Sequence, residues 1–120
     1  MKNDDVLVQM QERIVAFTTE RDWQQFHTPK DLAISLVLEA TEVLEHFQWK
    51  NENEMRQHLE ERKDDVGEEL IDCLYWILLM AKYYDIDIRE AFDKKMRLNE
   101  AKYPVKKVKG SHKKYTEYEP

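Results

Sequence analysis

Four carboxylates stand where such side chains are expensive to place. Glu39 and Glu42 are embedded in Leu36-Val37-Leu38-Glu39-Ala40-Thr41-Glu42-Val43-Leu44, and Glu69 and Asp72 in Glu69-Leu70-Ile71-Asp72-Cys73-Leu74. Each pair is spaced i,i+3, which on a helix puts both side chains on one face, roughly 5–6 Å apart at Cβ. Like charges that close repel, and burying them unpaired is costly. A hard divalent cation removes both penalties, because it takes carboxylate oxygens. Two helices each offering such a pair could face one another across a bundle and clamp one or two ions. The competing reading leaves all four on solvent faces. Neither pair has the His at i+3 that di-iron bundles use, and oxygen-only ligands favour Mg²⁺ or Mn²⁺ over Fe or Zn. His46 lies four residues after Glu42 and could approach the site; its simpler reading is a polar surface residue.

The aromatics are the second unusual feature. Trp23 and Trp49 fall in segments read as loops, where a large ring is less expected than in a core. Such rings either stack on a nucleobase or plug the bundle ends or a subunit interface. Trp76 is four residues past Asp72 and so projects from the same helix face. Lys95 and Asn99, also four apart, could hold phosphate oxygens and a sugar hydroxyl, or simply be exposed. The tail lysines (Lys106, Lys107, Lys109, Lys113, Lys114) either attract phosphate or keep the tail soluble.

Helical elements must position these groups. Val6, Leu7, Met10, Ile14 and Phe17 recur at helical spacing and predict a first helix over residues 4–20. Thr28 can cap a second helix, with Pro29 at its first position and Asp31 in its first turn. That helix should run to about Phe47, its apolar stripe being Leu32, Leu36, Val37, Ala40, Val43, Leu44 and Phe47. A charged helix over 52–62 has only Met55 and Leu59 as anchors. The most apolar helix runs from about Asp64 to Tyr84, with Gly67 as a kink or a tolerated weak spot. Asp87 caps a last helix, Glu90 completing a capping-box pattern, and Pro104 ends it. The fold class expected is all-α, four main helices and a short charged one.

Composition narrows the function classes. The 120 residues include only two glycines and three prolines, too few turn residues for an all-β fold of this size. Gly67 and Gly110 form no phosphate loop, so a P-loop or dinucleotide fold is excluded. The net charge of −6 is uneven: residues 101–120 carry six Lys and two Glu, which leaves −10 on residues 1–100. An acidic body is a poor binder of nucleic-acid polymers. It can still handle a phosphate-bearing ligand through a cation. The single cysteine, Cys73, excludes an intrachain disulfide and agrees with a reducing compartment. The acidic start, Met1 to Asp5, lacks an apolar signal core, and the apolar run from Cys73 to Ala81 is too short to span a bilayer. The expectation is a cytoplasmic protein without a membrane segment.

Glu20-Arg21-Asp22-Trp23-Gln24-Gln25-Phe26-His27, Leu38-Glu39-Ala40-Thr41-Glu42, Phe47-Gln48-Trp49-Lys50, Glu68-Glu69-Leu70-Ile71-Asp72-Cys73-Leu74, Lys95-Met96 through Asn99 to Tyr103-Pro104, and Lys114-Tyr115-Thr116-Glu117 follow in a specific order and spacing. Together they resemble the MazG-like, all-α nucleoside triphosphate pyrophosphohydrolases, closest to the deoxycytidine triphosphate pyrophosphatase branch. The resemblance implies a MazG-like domain over 1–104 and a basic, aromatic tail over 105–120. It implies that Glu39, Glu42, Glu69 and Asp72 are the Mg²⁺ ligands and catalytic carboxylates. It also implies that Trp23, Phe26, His27, Trp49, Trp76, Lys95 and Asn99 contact substrate. Such enzymes cleave a nucleoside triphosphate to the monophosphate and pyrophosphate, and they assemble as homodimers or homotetramers. Leu38 stands where many MazG proteins have a leading Glu, and His46 stands where an apolar residue is expected.

The reading is therefore a Mg²⁺-dependent pyrophosphohydrolase, with Mn²⁺ as the second choice of ion. Its expected substrate is dCTP or a related pyrimidine nucleotide, and Glu42 is the first choice to activate water. Oligomerisation is expected to complete a core that 120 residues make small. The alternative is a non-catalytic nucleotide-binding or helical interaction module.

Overall fold

A computed structural model describes residues 5–117. Positions 1–4 and 118–120, which include the expected helix start at Asp4 and the end of the basic tail, lie outside the described residues. Six α-helices and no strand occur among the described residues, as expected of an all-α chain. They are α1 (Val6–Glu20), α2 (Pro29–Glu45), α3 (Glu52–Glu61), α4 (Lys63–Tyr83), α5 (Ile88–Lys102) and α6 (Val105–Val108). Short 3₁₀ turns cover Gln24–Phe26 and Tyr115–Glu117.

The helix starts follow local chemistry. Thr28 Oγ1 accepts from the Asp31 N–H at 3.1 Å, with Pro29 in the first turn of α2. Asp87 accepts from the Glu90 N–H at 3.1 Å and starts α5. The reciprocal capping box forms at α3 instead, where Asn51 and Glu54 exchange side-chain-to-backbone bonds of 2.9 and 3.0 Å. The second helix stops at Glu45, short of the expected Phe47. The chain then turns through residues 46–49, and Trp49 takes a left-handed φ of 68°.

Two compact units divide between Asp85 and Ile86. The first holds α1 to α4, with α4 packed against α2, α1 and α3. Leu32 of α2 and Val66, Leu78, Leu79 and Ala81 of α4 are buried, together with Thr18 of α1. Thr18 satisfies its hydroxyl on the Tyr75 hydroxyl at 3.0 Å, as a fully buried polar group requires. The second unit holds α5 and α6.

The expected apolar stripe of α2 is only partly covered. Leu32 is buried, but Val37 and Leu44 are exposed, as are Leu38, Leu70, Ile71 and Ile77 on the same two helices. A small unit buries a smaller share of its apolar surface than a large one. No helix of the described residues is long and apolar enough to cross a membrane.

Candidate metal centre and the adjoining cleft

Glu39 and Glu42 project from α2, and Glu69 and Asp72 from α4. One oxygen from each of the four lies within 4.8 Å of the others. The four acids therefore converge across α2 and α4, two of them still open to solvent. Glu39 and Glu69 are half-buried, Glu42 and Asp72 exposed. Glu39 Oε2 and Glu69 Oε2 are buried without a hydrogen-bond partner in the protein. Two orphaned carboxylate oxygens in an oxygen-only cluster fit a hard cation, which supplies the partner that the chain does not.

The electrostatics agree. A side-chain hydrogen bond with Glu42 raises the Glu69 carboxyl, and burial and the charges of Glu42, Asp72 and Glu39 add to it, to about 7. Burial raises Glu39 as well, reinforced by Glu42 and Asp72, while a hydrogen bond with Trp76 acts in the opposite direction. Crowded acids retain protons until something positive replaces them. Burial and the same four acids also push the Cys73 thiol up, which keeps it protonated.

A cleft of about 550 Å³ opens beside the acids. Met10, Ile14 and Phe17 of α1 form one wall, Trp23 an end, and Tyr75 and Trp76 of α4 the other wall, with Glu39 and Asp72 at the edge. Its volume falls in the range of small-molecule sites. The rings brace one another edge to face: Phe17 against Trp23 at 5.7 Å, Phe17 against Tyr75 at 6.2 Å, and Tyr75 against Trp76 at 4.9 Å. The Arg21 guanidinium lies 3.8 Å over Phe17.

Trp23 and Trp76 thus line a cleft with two of the four acids. His27 contacts Trp76 edge to face and bonds the Tyr83 hydroxyl through Nδ1 at 2.9 Å. Phe26 is exposed, and Trp49 is 92% exposed. Neither Phe26 nor Trp49 lines this cleft. Lys95 and Asn99 lie on α5 in the second unit. His46 does approach the acids, its Nε2 lying 4.0 Å from Glu69 Oε1.

Sequence reasoning missed the cleft wall. Met10, Ile14 and Phe17 read as a core stripe, and nothing local links Tyr75 to Thr18, 57 positions earlier. It also missed His58, whose Nε2 lies 2.9 Å from His46 Nδ1.

An all-α bundle with a carboxylate quartet shared between two helices defines the class. The chain belongs to the MazG-like family, whose model matches residues 34–118. It is 39% identical over 103 residues to dCTP pyrophosphatase 1 of Mus musculus and 37% identical over 103 to that of Homo sapiens. Both matches take in 84% of this chain, which spans 61% of the length of those relatives. Among solved structures, a pyrophosphatase from Archaeoglobus fulgidus aligns with a TM-score of 0.80 at 36% identity. That match covers 87% of this chain and 97% of the other.

Proposed function

We propose that the protein is a Mg²⁺-dependent nucleoside triphosphate pyrophosphohydrolase acting on dCTP or a related pyrimidine nucleotide. One observation carries the reading: four carboxylate oxygens gathered within 4.8 Å, two side chains having orphaned buried oxygens, beside an apolar aromatic cleft. The family and the names of the relatives support the substrate class and the products.

Glu39, Glu42, Glu69 and Asp72 are assigned as the ligands, with Mn²⁺ as the alternative ion. Bound Mg²⁺ supplies neutralisation of the triphosphate charge and of the charge developing at the α-phosphorus. Glu42, exposed and hydrogen-bonded to Glu69, is assigned to orient water and accept its proton. Trp23 and Trp76 hold the base on an apolar surface and exclude water from that side, and His27, edge to face against Trp76, is assigned to the same substrate contact. Phe26 and Trp49 are assigned to the rim of the bound nucleotide. A bulky residue at φ 68° is strained by about 1–3 kcal/mol, a cost that marks functional segments. Lys95 and Asn99 are assigned to phosphate and sugar contacts.

A homodimer or homotetramer is proposed as the working form. Val37, Leu38 and Leu44 of α2 and Leu70, Ile71 and Ile77 of α4 are exposed apolar side chains that a second copy would cover. A reducing, cytoplasmic setting agrees with the single free thiol of Cys73.

The test is pyrophosphate release from a panel of nucleoside triphosphates, with and without Mg²⁺. Pyrophosphate appearing only with the ion, and fastest from dCTP or another pyrimidine nucleotide, is the expected result. Nucleotide binding without turnover would replace the reading with that of a binding module.

A further inference from the structure

A second group of possible ligands adjoins the quartet at Glu42 and Glu69, whereas the aromatic cleft meets it at Glu39 and Asp72. His46 follows α2 and His58 sits in the last turn of α3, and their rings are 5.1 Å apart between centroids. His46 Nδ1 and His58 Nε2 face one another at 2.9 Å. Both are partly buried at a hollow of about 430 Å³, which Glu42, Glu45 and Glu69 also line. Lys50 is the one opposing charge among those lining groups. Burial, with the charges of Lys50, His46 and Arg62, lowers the His58 imidazole below its ordinary value, so a lone pair is available on that ring at neutral pH.

We propose that His46 and His58 form a second metal site, which takes a borderline transition ion such as Zn²⁺, Ni²⁺ or Cu²⁺ between His46 Nδ1 and His58 Nε2. Imidazole nitrogens suit these ions and not Mg²⁺, so the two sites differ in kind. Two donors about 2.1 Å from one ion sit roughly 2.9–3.4 Å apart for bond angles from 90° to tetrahedral, a spacing the present pair already approaches. The exchange balances without loss of a proton. In the neutral pair one facing nitrogen carries a hydrogen; on binding, that hydrogen moves to the far nitrogen of the same ring, and both facing lone pairs go to the ion.

The far nitrogen of His46 is Nε2, 4.0 Å from Glu69 Oε1. A ligating His that presents its other N–H to a carboxylate is the usual outer arrangement of such sites, and it raises ligand basicity. Glu45, the carboxylate of the hollow outside the quartet, completes the shell with water.

The probe is Ni²⁺ alone, titrated calorimetrically into the full chain with Mg²⁺ held in excess to occupy the acids. Wild type and Glu39→Gln are expected to bind one Ni²⁺ per chain alike. His46→Gln and His58→Gln should each weaken it by at least about tenfold, since even outer-shell losses cost that much. Electron paramagnetic resonance of the wild type with one equivalent of Cu²⁺ should show nitrogen donors, a readout independent of whether the variants fold. Absence of nitrogen coupling, or Ni²⁺ binding kept in both His variants and lost in Glu39→Gln, would overturn the proposal.

Discussion

Glu39→Gln should change stability in opposite directions with and without Mg²⁺. In the metal-free protein it removes one charge from a cluster whose nearest oxygens lie within 4.8 Å. Two unit charges at 4.8 Å repel by about 0.9 kcal/mol in bulk water and about 3.5 kcal/mol at an effective dielectric of 20. Glu42 and Asp72 are exposed, which holds the interaction near the aqueous end. The variant should therefore gain about 1 kcal/mol, or roughly 3–6 °C in Tm for a chain of this size. The measurement belongs at about pH 8, above the Glu69 value. With Mg²⁺ at a hundred times its dissociation constant, wild type gains about 2.7 kcal/mol, and a site weakened tenfold gains about 1.4 kcal/mol. The two melting curves should then cross in order: the variant melts higher in chelator, wild type higher in Mg²⁺, and turnover disappears in the variant. Differential scanning fluorimetry of both proteins under both conditions reads all of this. A variant that melts lower than wild type in chelator would refute the crowded-charge argument, because Glu39 would then be stabilising the metal-free fold.

Acidification should act through the same cluster. Glu69 is raised above its ordinary value to about 7, so the metal-free fold is most stable below the ordinary carboxylate range and loses that stability as pH rises through about 7. Mg²⁺ needs the ionised forms, so the Tm increment it gives should grow across that window; an increment that stays flat between about pH 5 and about pH 8 would contradict the shift. Trp49→Ala should leave Tm nearly unchanged, because a ring 92% exposed seals nothing within its own chain. As a rim contact it should raise KM, by no more than the roughly 5- to 150-fold that one stacked ring is worth; an unchanged KM would defeat the rim assignment. Thr18→Val should cost about 1–3 kcal/mol in chemical denaturation by stripping the Tyr75 hydroxyl of its buried partner, and a neutral result would mean that water replaces Thr18.

Local features were legible in the sequence, and long-range ones were not. Thr28-Pro29 and Asp87 marked helix starts correctly because a cap acts over three residues. Asn51-Glu54, the box actually formed, shows the same logic at a site that the hydrophobic pattern did not highlight. The acid pairs stood out because i,i+3 spacing fixes a helix face, and apolar flanks mark that face as costly for charge. Their meeting across α2 and α4 was inferred from the pairing of pairs. The cleft depends on Thr18, Phe17 and Trp23 reaching Tyr75 and Trp76 from far away in the chain, which no periodicity encodes. The α2 stripe predicted an inward face, yet Val37 and Leu44 are exposed. Periodicity reports that a face is apolar, not what covers it.

The most direct test of the central account is hydrolysis of dCTP by the full chain with Mg²⁺ in ¹⁸O-labelled water. Attack of water at the α-phosphorus predicts label in dCMP and none in the released pyrophosphate. Label in the pyrophosphate would contradict the account, since water would then have attacked the β-phosphorus.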